Sequence, residues 1–423
     1  MPFKVLVVGG AGGMGRWCTS LFKNSGMEVS ISSRRDASDV ARSLGVGLSS
    51  PGDAGSFDIV VLSVPIDAVE HVASGVAPKM RQGSLLMDMS SLKVKPVESM
   101  LRHSPPGVEV IGAHPLFGPG SDGRGMSIAL VPTERSERWF SIIRDLFEDA
   151  GYGVLVTTAE RHDRDMAVVQ GLTHFMYVAM GRALERSNAD LNEASAFRTP
   201  VYGITKELLG RVLSQSPGLY ALIQSSGPAG ELRRAFVGAC EELSSELDAG
   251  DLEGFARDFG SAARYYGDTE GARKRSERIV RDYMEPRLRA MDAVGKERAF
   301  ELDGRVVYGV VKHAGPDDFT LETSDGTIIL KYEDVSDASD RACQEPLVSR
   351  DILVKLPIGA DPSILQWALS NIDGVKRAGF ETADALGPDF VACRFTVSVP
   401  AGRSDEVLQK VLKTIWGLGL EVK

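Results

Sequence analysis

The stretch VLVVGGAGGMGRW, Val5 to Trp17, limits the possible folds more than any other part of the chain. A β-branched run ends in Gly10-x-Gly12-x-x-Gly15, and a helical pattern opens at the last of these glycines. Glycines at that spacing allow a tight turn, let the backbone approach a pyrophosphate, and bring strand and helix close together. The helix start adds unpaired N–H groups and the positive end of its dipole. A glycine motif alone is weak ground, since it also describes a merely glycine-rich turn. With a strand before it and a helix after it, Gly10, Gly12, Gly13, Met14 and Gly15 become the expected cofactor contacts. Apolar runs at Lys4 to Val8, Glu28 to Ser32, Asp58 to Val64, Ser84 to Met89, Val108 to Ala113, Ser127 to Val131 and Gly153 to Thr157 alternate with helical patterns. That alternation predicts an α/β domain over residues 1–157, with a Rossmann-like, mostly parallel sheet.

At 423 residues the chain exceeds a single core, and domains of about 100–200 residues imply several. Residues 158–296 read as an all-helical domain whose apolar helices and short turns suit a bundle that also supplies a dimer surface, so a homodimer is expected. Within it, AERHDRDMAVVQGLTHFMYVAMGRALERS keeps helical spacing without proline and predicts one long, largely buried helix. Residues 297–345 form a small β unit from the runs RVVYGVVKH, DFTLETSDG and TIILKYEDV. Residues 346–423 run strand, helix, strand, strand, helix, strand, the order of a ferredoxin-like α+β domain.

A formal net charge of -10 argues against nucleic acid as a general partner. Cys18, Cys240, Cys343 and Cys393 lie far apart, without metal-ligand spacing, so reduced thiols and no metal are expected. No apolar run approaches the roughly 18 residues of a membrane span, and MPFKVLVVGG enters a strand without a signal peptide, which points to the cytoplasm.

Open α/β sheets bind ligands beyond the carboxyl ends of their strands. Past the second run stand Ser33, Arg34 and Arg35, where an NAD-binding chain would place an acid to accept the ribose 2′-hydroxyl. Guanidinium groups suit a 2′-phosphate, so NADP is preferred, with NAD kept open through Asp36; solvated surface arginines are the bland alternative. Past the third run come Ser63, Val64 and Pro65, and past the fourth come Ser90, Ser91 and Lys93. Lys93 reads either as a partner for a cofactor phosphate or as a solvated charge. Past the fifth comes His114, held before Pro115 in HPLFGP. An imidazole there suits acceptance of a hydroxyl proton near neutral pH, with Ser91 to orient it or its substrate.

The fingerprint, DMSSLK, HPLFGP, DRDMAVVQGLTHF and ELLGRVLSQSPGLY occur in an order that resembles prephenate dehydrogenases over roughly residues 1–290. The resemblance implies oxidative decarboxylation of prephenate to 4-hydroxyphenylpyruvate in tyrosine biosynthesis, with hydride passing to NAD or NADP. It implies that His114 deprotonates the 4-hydroxyl beside Ser91, and that Arg211 binds a substrate carboxylate. Without it, Arg211 reads as a surface residue paired with Glu207 at i,i−4. His174, Gln170 and Tyr177 share a helix face. His174 matches a pocket position of the family, although such a histidine is more often core, and Gln170 and Tyr220 are further substrate contacts.

Arogenate dehydrogenases share these motifs, so arogenate is the alternative substrate. Pro119 and Gly120 stand where some members carry a Thr-Glu pair, and with no chorismate mutase segment before the fingerprint the bifunctional form is not expected. The last domain resembles ACT-type regulatory domains, which implies tyrosine as a possible effector. GGAGGMG followed by SSRR also resembles deazaflavin-dependent NADP reductases, a reading that leaves HPLFGP and Arg211 unexplained. A non-enzymatic dinucleotide or amino-acid sensor is the third alternative.

Overall fold

A computed structural model describes residues 2–120, 123–337, 347–375, 377–385, 389–400 and 404–422. Cys343 and the junction expected near residue 345 lie outside them. The chain divides into two compact units, residues 1–273 and 274–423.

The first unit is built on β1 (Lys4–Val8), β2 (Glu28–Ser32), β3 (Gly47–Leu48), β4 (Ile59–Leu62), β5 (Leu85–Asp88), β6 (Glu109–Pro115), β7 (Ser127–Pro132) and β8 (Gly153–Val156). They form one sheet in the order β3-β2-β1-β4-β5-β6-β7-β8, parallel throughout except for the antiparallel pair β6–β7. Every predicted run is a strand. The two residues of β3 are too short to show a period, and the sequence reading missed them.

Successive side chains of a strand point to opposite faces, and both faces of this sheet are covered. Val5, Val7, Ile59 and Val61 therefore pack on one side with Phe22 and Trp139. Leu6, Val8, Val60 and Leu62 pack on the other with Val69 and Met100. At about 1.5–3 kcal/mol per fully buried apolar side chain, these two layers hold the strand ends in fixed register.

The expected long, buried helix is corrected in two respects. It is an α-helix at Ala159–Met166, a π-helical turn at Ala167–Leu172 and a second α-helix at Thr173–Arg186. No residue of the last segment is fully buried. The widened turn sits where Gly171 meets helix Gly227–Asp248: a Cβ on Gly171 would stand 3.1 Å from that of Ala229. The Gly171 carbonyl accepts from Gln224 Nε2 at 2.7 Å. Helices Pro200–Leu213, Pro217–Gln224 and Leu252–Tyr266 follow.

In the second unit, β9 (Glu297–Leu302), β10 (Arg305–Ala314), β11 (Asp318–Thr323), β12 (Gly326–Lys331) and β13 (Val335–Asp337) form a sheet in the order β12-β11-β10-β9-β13. The inner strand β9 and the edge strand β13 had not been expected. β14 (Leu347–Pro357), β15 (Arg377–Ala385), β16 (Phe390–Pro400) and β17 (Glu421–Val422) form an antiparallel sheet in the order β15-β16-β14-β17, with helices Pro362–Ser370 and Ser404–Gly417. This is the ferredoxin-like arrangement. Among the described residues no helix is long and apolar enough to cross a membrane.

Candidate active site

The glycine turn lies at the carboxyl end of β1, and its tightest point is Gly9, one residue earlier than the fingerprint spacing suggests. Gly9 has φ +88°, and a Cβ there would stand 2.1 Å from the Ser63 carbonyl oxygen and 3.2 Å from Val64 Cγ1. Gly9 and Gly10 both donate to Ser32 O, at 2.8 and 3.2 Å, which fastens the turn to the end of β2. A Cβ on Gly15 would stand 2.2 Å from Gly9 O, so only glycine lets helix Gly13–Asn24 approach this closely. Gly12 begins that helix with no side-chain cap. Its first-turn N–H groups, those of Gly13 and Met14 among them, are thus available to an anion. A Cβ on Gly13 would stand 2.8 Å from Pro119 Cγ, so the HPLFGP loop reaches the same helix start. Val64, past the end of β4, borders the turn, and Pro65 follows it at the start of a short helical turn.

Ser33, Arg34 and Arg35 are exposed beyond β2, and among the described residues neither arginine is in an ion pair. Asp36 Oδ1 instead accepts from Ser38 N at 2.9 Å and Ser38 Oγ at 2.6 Å, and these bonds hold its carboxyl below the ordinary range. The acid that kept NAD open is therefore engaged at the start of the next helix. An uncapped helix start, a turn closed to any side chain at Gly9 and Gly15, and two guanidinium groups in no ion pair among the described residues fit a dinucleotide.

His114 is the penultimate residue of β6 and is 3% exposed. Its Nδ1 lies 3.0 Å from His162 Nε2, and His162 Nδ1 lies 2.8 Å from Asp163 Oδ1. The Asp163 carboxylate also accepts from Lys93 N at 2.7 Å and Val94 N at 3.0 Å, where helix Val94–His103 begins. On the other edge of the ring, Gln170 Nε2 stands 3.4 Å from His114 Nε2. Burial, then the His162 ring, then the Lys93 ammonium push the His114 pKa well below the usual imidazole value. The resting ring is thus neutral at physiological pH and able to accept a proton.

Both expectations for Lys93 are corrected. The side chain is fully buried, donating from Nζ to Asp88 Oδ2 and, at 2.8 Å, to Ala113 O. It binds strand β5 to β6 and fixes the backbone next to His114, and it faces neither solvent nor a cofactor phosphate. Ser90, also bonded to Asp88, belongs to the same buried knot. Ser91 is half-buried, and among the described residues its hydroxyl makes no hydrogen bond. It does not orient His114 directly, which leaves it to a substrate.

From Gln170 the helical segment carries the wall onward. His174 meets Tyr220 edge to face with ring centroids 4.6 Å apart, and among the described residues its buried Nδ1 has no partner. Burial lowers the His174 pKa. Burial raises that of Tyr220, while the nearby Arg211 charge opposes the rise. Tyr220 packs with Val212, Tyr177 and Ile66, the last lying just past Pro65. Among the described residues Arg211 is exposed and in no ion pair, so the expected alternative pairing with Glu207 is not formed. Gln170, His174, Tyr220 and Arg211 thus follow one another from His114 along the helical part of the unit. The sequence reading missed His162, Asp163 and Asp88. The available signal was the His-Asp dipeptide opening the run HDRDMAVV.

Comparison with known proteins places the chain in a family. Residues 20–156 match the family model described as prephenate dehydrogenase, nucleotide-binding domain, and residues 158–261 that described as prephenate dehydrogenase, dimerization domain. A probable arogenate/prephenate dehydrogenase of Methanocaldococcus jannaschii is 35% identical over 271 residues, covering 62% of this chain and 61% of that protein. The match therefore spans about three fifths of that relative's length. The T-protein of Enterobacter agglomerans is 30% identical over 266 residues, covering 62% of this chain and 68% of its own. The crystal structure of the Aquifex aeolicus prephenate dehydrogenase with hydroxyphenyl propionate and NAD+ shares the fold, with a TM-score of 0.51 at 20% identity over 63% of this chain and 98% of that one. With its two family models covering more than half of its length, the chain belongs to the prephenate dehydrogenase family.

Proposed function

We propose that the protein catalyses the oxidative decarboxylation of prephenate to 4-hydroxyphenylpyruvate, with arogenate as the alternative substrate and NADP preferred over NAD. One observation carries this reading: a buried, neutral His114 whose Nε2 faces the helical wall that leads to Arg211. The bound nicotinamide supplies the acceptor for the hydride that leaves C4. His114 takes the 4-hydroxyl proton at Nε2 as the hydride departs. It returns that proton to the phenol oxygen as the ring carboxylate leaves as CO2 and the electrons of the broken C–C bond enter the aromatic ring.

Ser91 offers a hydroxyl to the same oxygen. Arg211, in no ion pair among the described residues, holds a carboxylate of the dianion through a forked pair of N–H bonds. His174, Gln170 and Tyr220 line the ring. The preference for NADP is supported by the exposed Arg34 and Arg35, and by the engagement of Asp36 with Ser38. Exposed apolar residues of the helical part, among them Val168, Met176, Leu252 and Phe259, support assembly as a homodimer.

Steady-state turnover across the four pairings of prephenate or arogenate with NAD or NADP tests the reading. Reduced-cofactor absorbance is expected with prephenate, most strongly with NADP. Its absence in all four pairings defeats the proposal. His114→Ala should lower kcat by about 10²–10⁴-fold, the usual worth of a general base, with nucleotide affinity retained.

A further inference from the structure

The row Asp163, His162, His114 extends beyond the one ring that the proposed reaction uses. We propose that Asp163 and His162 are positioning residues for proton removal: together they hold His114 in its Nδ1–H form, so that Nε2 presents a lone pair to the substrate hydroxyl. The inference rests on the assignment of His114 as the base.

The logic runs from one end of the row to the other. An ionised carboxylate only accepts hydrogen bonds, so His162 Nδ1 must carry the proton of the 2.8 Å contact with Asp163 Oδ1. In a neutral His162 ring Nε2 is then the acceptor, and the 3.0 Å contact requires His114 Nδ1 to donate. The remaining His114 nitrogen, Nε2, is left without a hydrogen and faces the Gln170 amide at 3.4 Å. Either ring reversed would set two N–H groups or two lone pairs against each other at 3 % exposure or less, where no water relieves the mismatch.

The same row stabilises the charged ring. When His114 takes the hydroxyl proton at Nε2, the new positive charge lies beside Lys93 and His162, of which Lys93 is matched by Asp88. Asp163 is the remaining counter-charge, reached through His114 Nδ1–H to His162 Nε2 and His162 Nδ1–H to Asp163. Two backbone N–H groups at the start of helix Val94–His103 fix that carboxylate, so the row is anchored to the sheet side.

Asp163→Asn is the decisive variant. Its amide oxygen can still accept from Lys93 N and His162 Nδ1, as Asp163 Oδ1 does, so the resting tautomers are kept, but the counter-charge that stabilises the protonated His114 ring is gone. We expect kcat to fall by about 10²–10⁴-fold, with KM and nucleotide affinity changed less than about 3-fold. In 15N-histidine spectra, with His114 assigned by its loss in His114→Gln, the unmodified protein should show a protonated Nδ1 and a bare Nε2. Asp163→Asn should keep this resting pattern, because its oxygen still accepts from His162 Nδ1, while losing turnover. Should Asp163→Asn fail to fold, His162→Gln and the spectrum of the unmodified protein serve instead.

A protonated Nε2 in the resting unmodified protein overturns the proposal. So does an unchanged kcat in folded Asp163→Asn or His162→Gln while His114→Gln is inactive. Full activity of His114→Gln would instead defeat the assignment of the base itself, and the two failures are thereby told apart.

Discussion

Lys93 and Asp88 form an ion pair with both side chains wholly out of solvent, and among the described residues Asp88 Oδ1 has no hydrogen-bond partner. Removing one member of such a pair leaves an uncompensated buried charge, at a cost of about 3–5 kcal/mol. Lys93→Met should therefore lower the unfolding free energy by that amount in a urea titration. The double variant Asp88→Leu/Lys93→Met should recover much of it, because the stranded charge is gone. A loss under about 1 kcal/mol in the single variant would mean that the ammonium is not confined as described.

His114 gives a pH dependence of definite sign. The base must be neutral to act, and its folded pKa lies well below the ordinary 6.5. The proposed kcat/KM should thus stay level down through pH 6.5 and bend only at lower pH, whereas an acid limb at or above 6.5 would contradict the burial of the ring. At this scale the sequence was legible where a residue's place follows from the chain alone. His114 stood out because it follows a strand run and precedes a proline. His162 and Asp163 did not, since their roles arise only when one helix start is laid against the end of another segment's strand.

At the scale of elements, the strand–turn–helix start separates two kinds of glycine. A Cβ on Gly15 would stand 2.2 Å from the Gly9 carbonyl, and backbone cannot yield that much, so Gly15→Ala should unfold or badly destabilise the nucleotide half. At Gly12 the nearest atom to a Cβ is 3.4 Å away, and φ −71° suits any residue. Gly12→Ala should cost less than about 1 kcal/mol, the usual penalty of alanine at a helix N-cap, while weakening nucleotide binding by obstructing the phosphate approach. Thermal unfolding beside a fluorescence titration with NADP measures both, and equal affinity in Gly12→Ala would place the pyrophosphate elsewhere.

The strands were readable because a sheet covered on both faces demands continuous apolar runs, as in Ile59–Leu62. The π-helical turn at Ala167–Leu172 was not, because its cause is a neighbour, Ala229, some 60 positions away. The same periodicity that predicted helix Thr173–Arg186 could not say whether its apolar face is covered within the chain. It shows an amphipathic pattern and is silent on the partner.

Considered as a whole molecule, the chain keeps each residue of the proposed site within residues 1–273, while residues 274–423 form a unit with cores of their own. One of those cores gathers Phe300, Val311, Phe319 and Leu321 in the β9–β13 sheet. Another gathers Ile352, Val354, Leu369, Phe395 and Ile415 in the ferredoxin-like domain. These clusters share no residue, so ending the chain near residue 345 removes the second without opening the first.

A division inside helix Thr269–Asp292 was not readable from sequence, because helical periodicity runs through the boundary without a break. The resemblance of the last domain to amino-acid-binding regulatory domains makes tyrosine the effector we propose for it. The chain ended near residue 345 should then keep kcat and KM within about 2-fold of the full chain and lose sensitivity to tyrosine. Initial rates with and without millimolar tyrosine, for both forms, decide the matter. Inhibition of equal strength in the shortened protein would put the effector at the proposed active site, where Arg211 and His114 would meet its carboxylate and phenol.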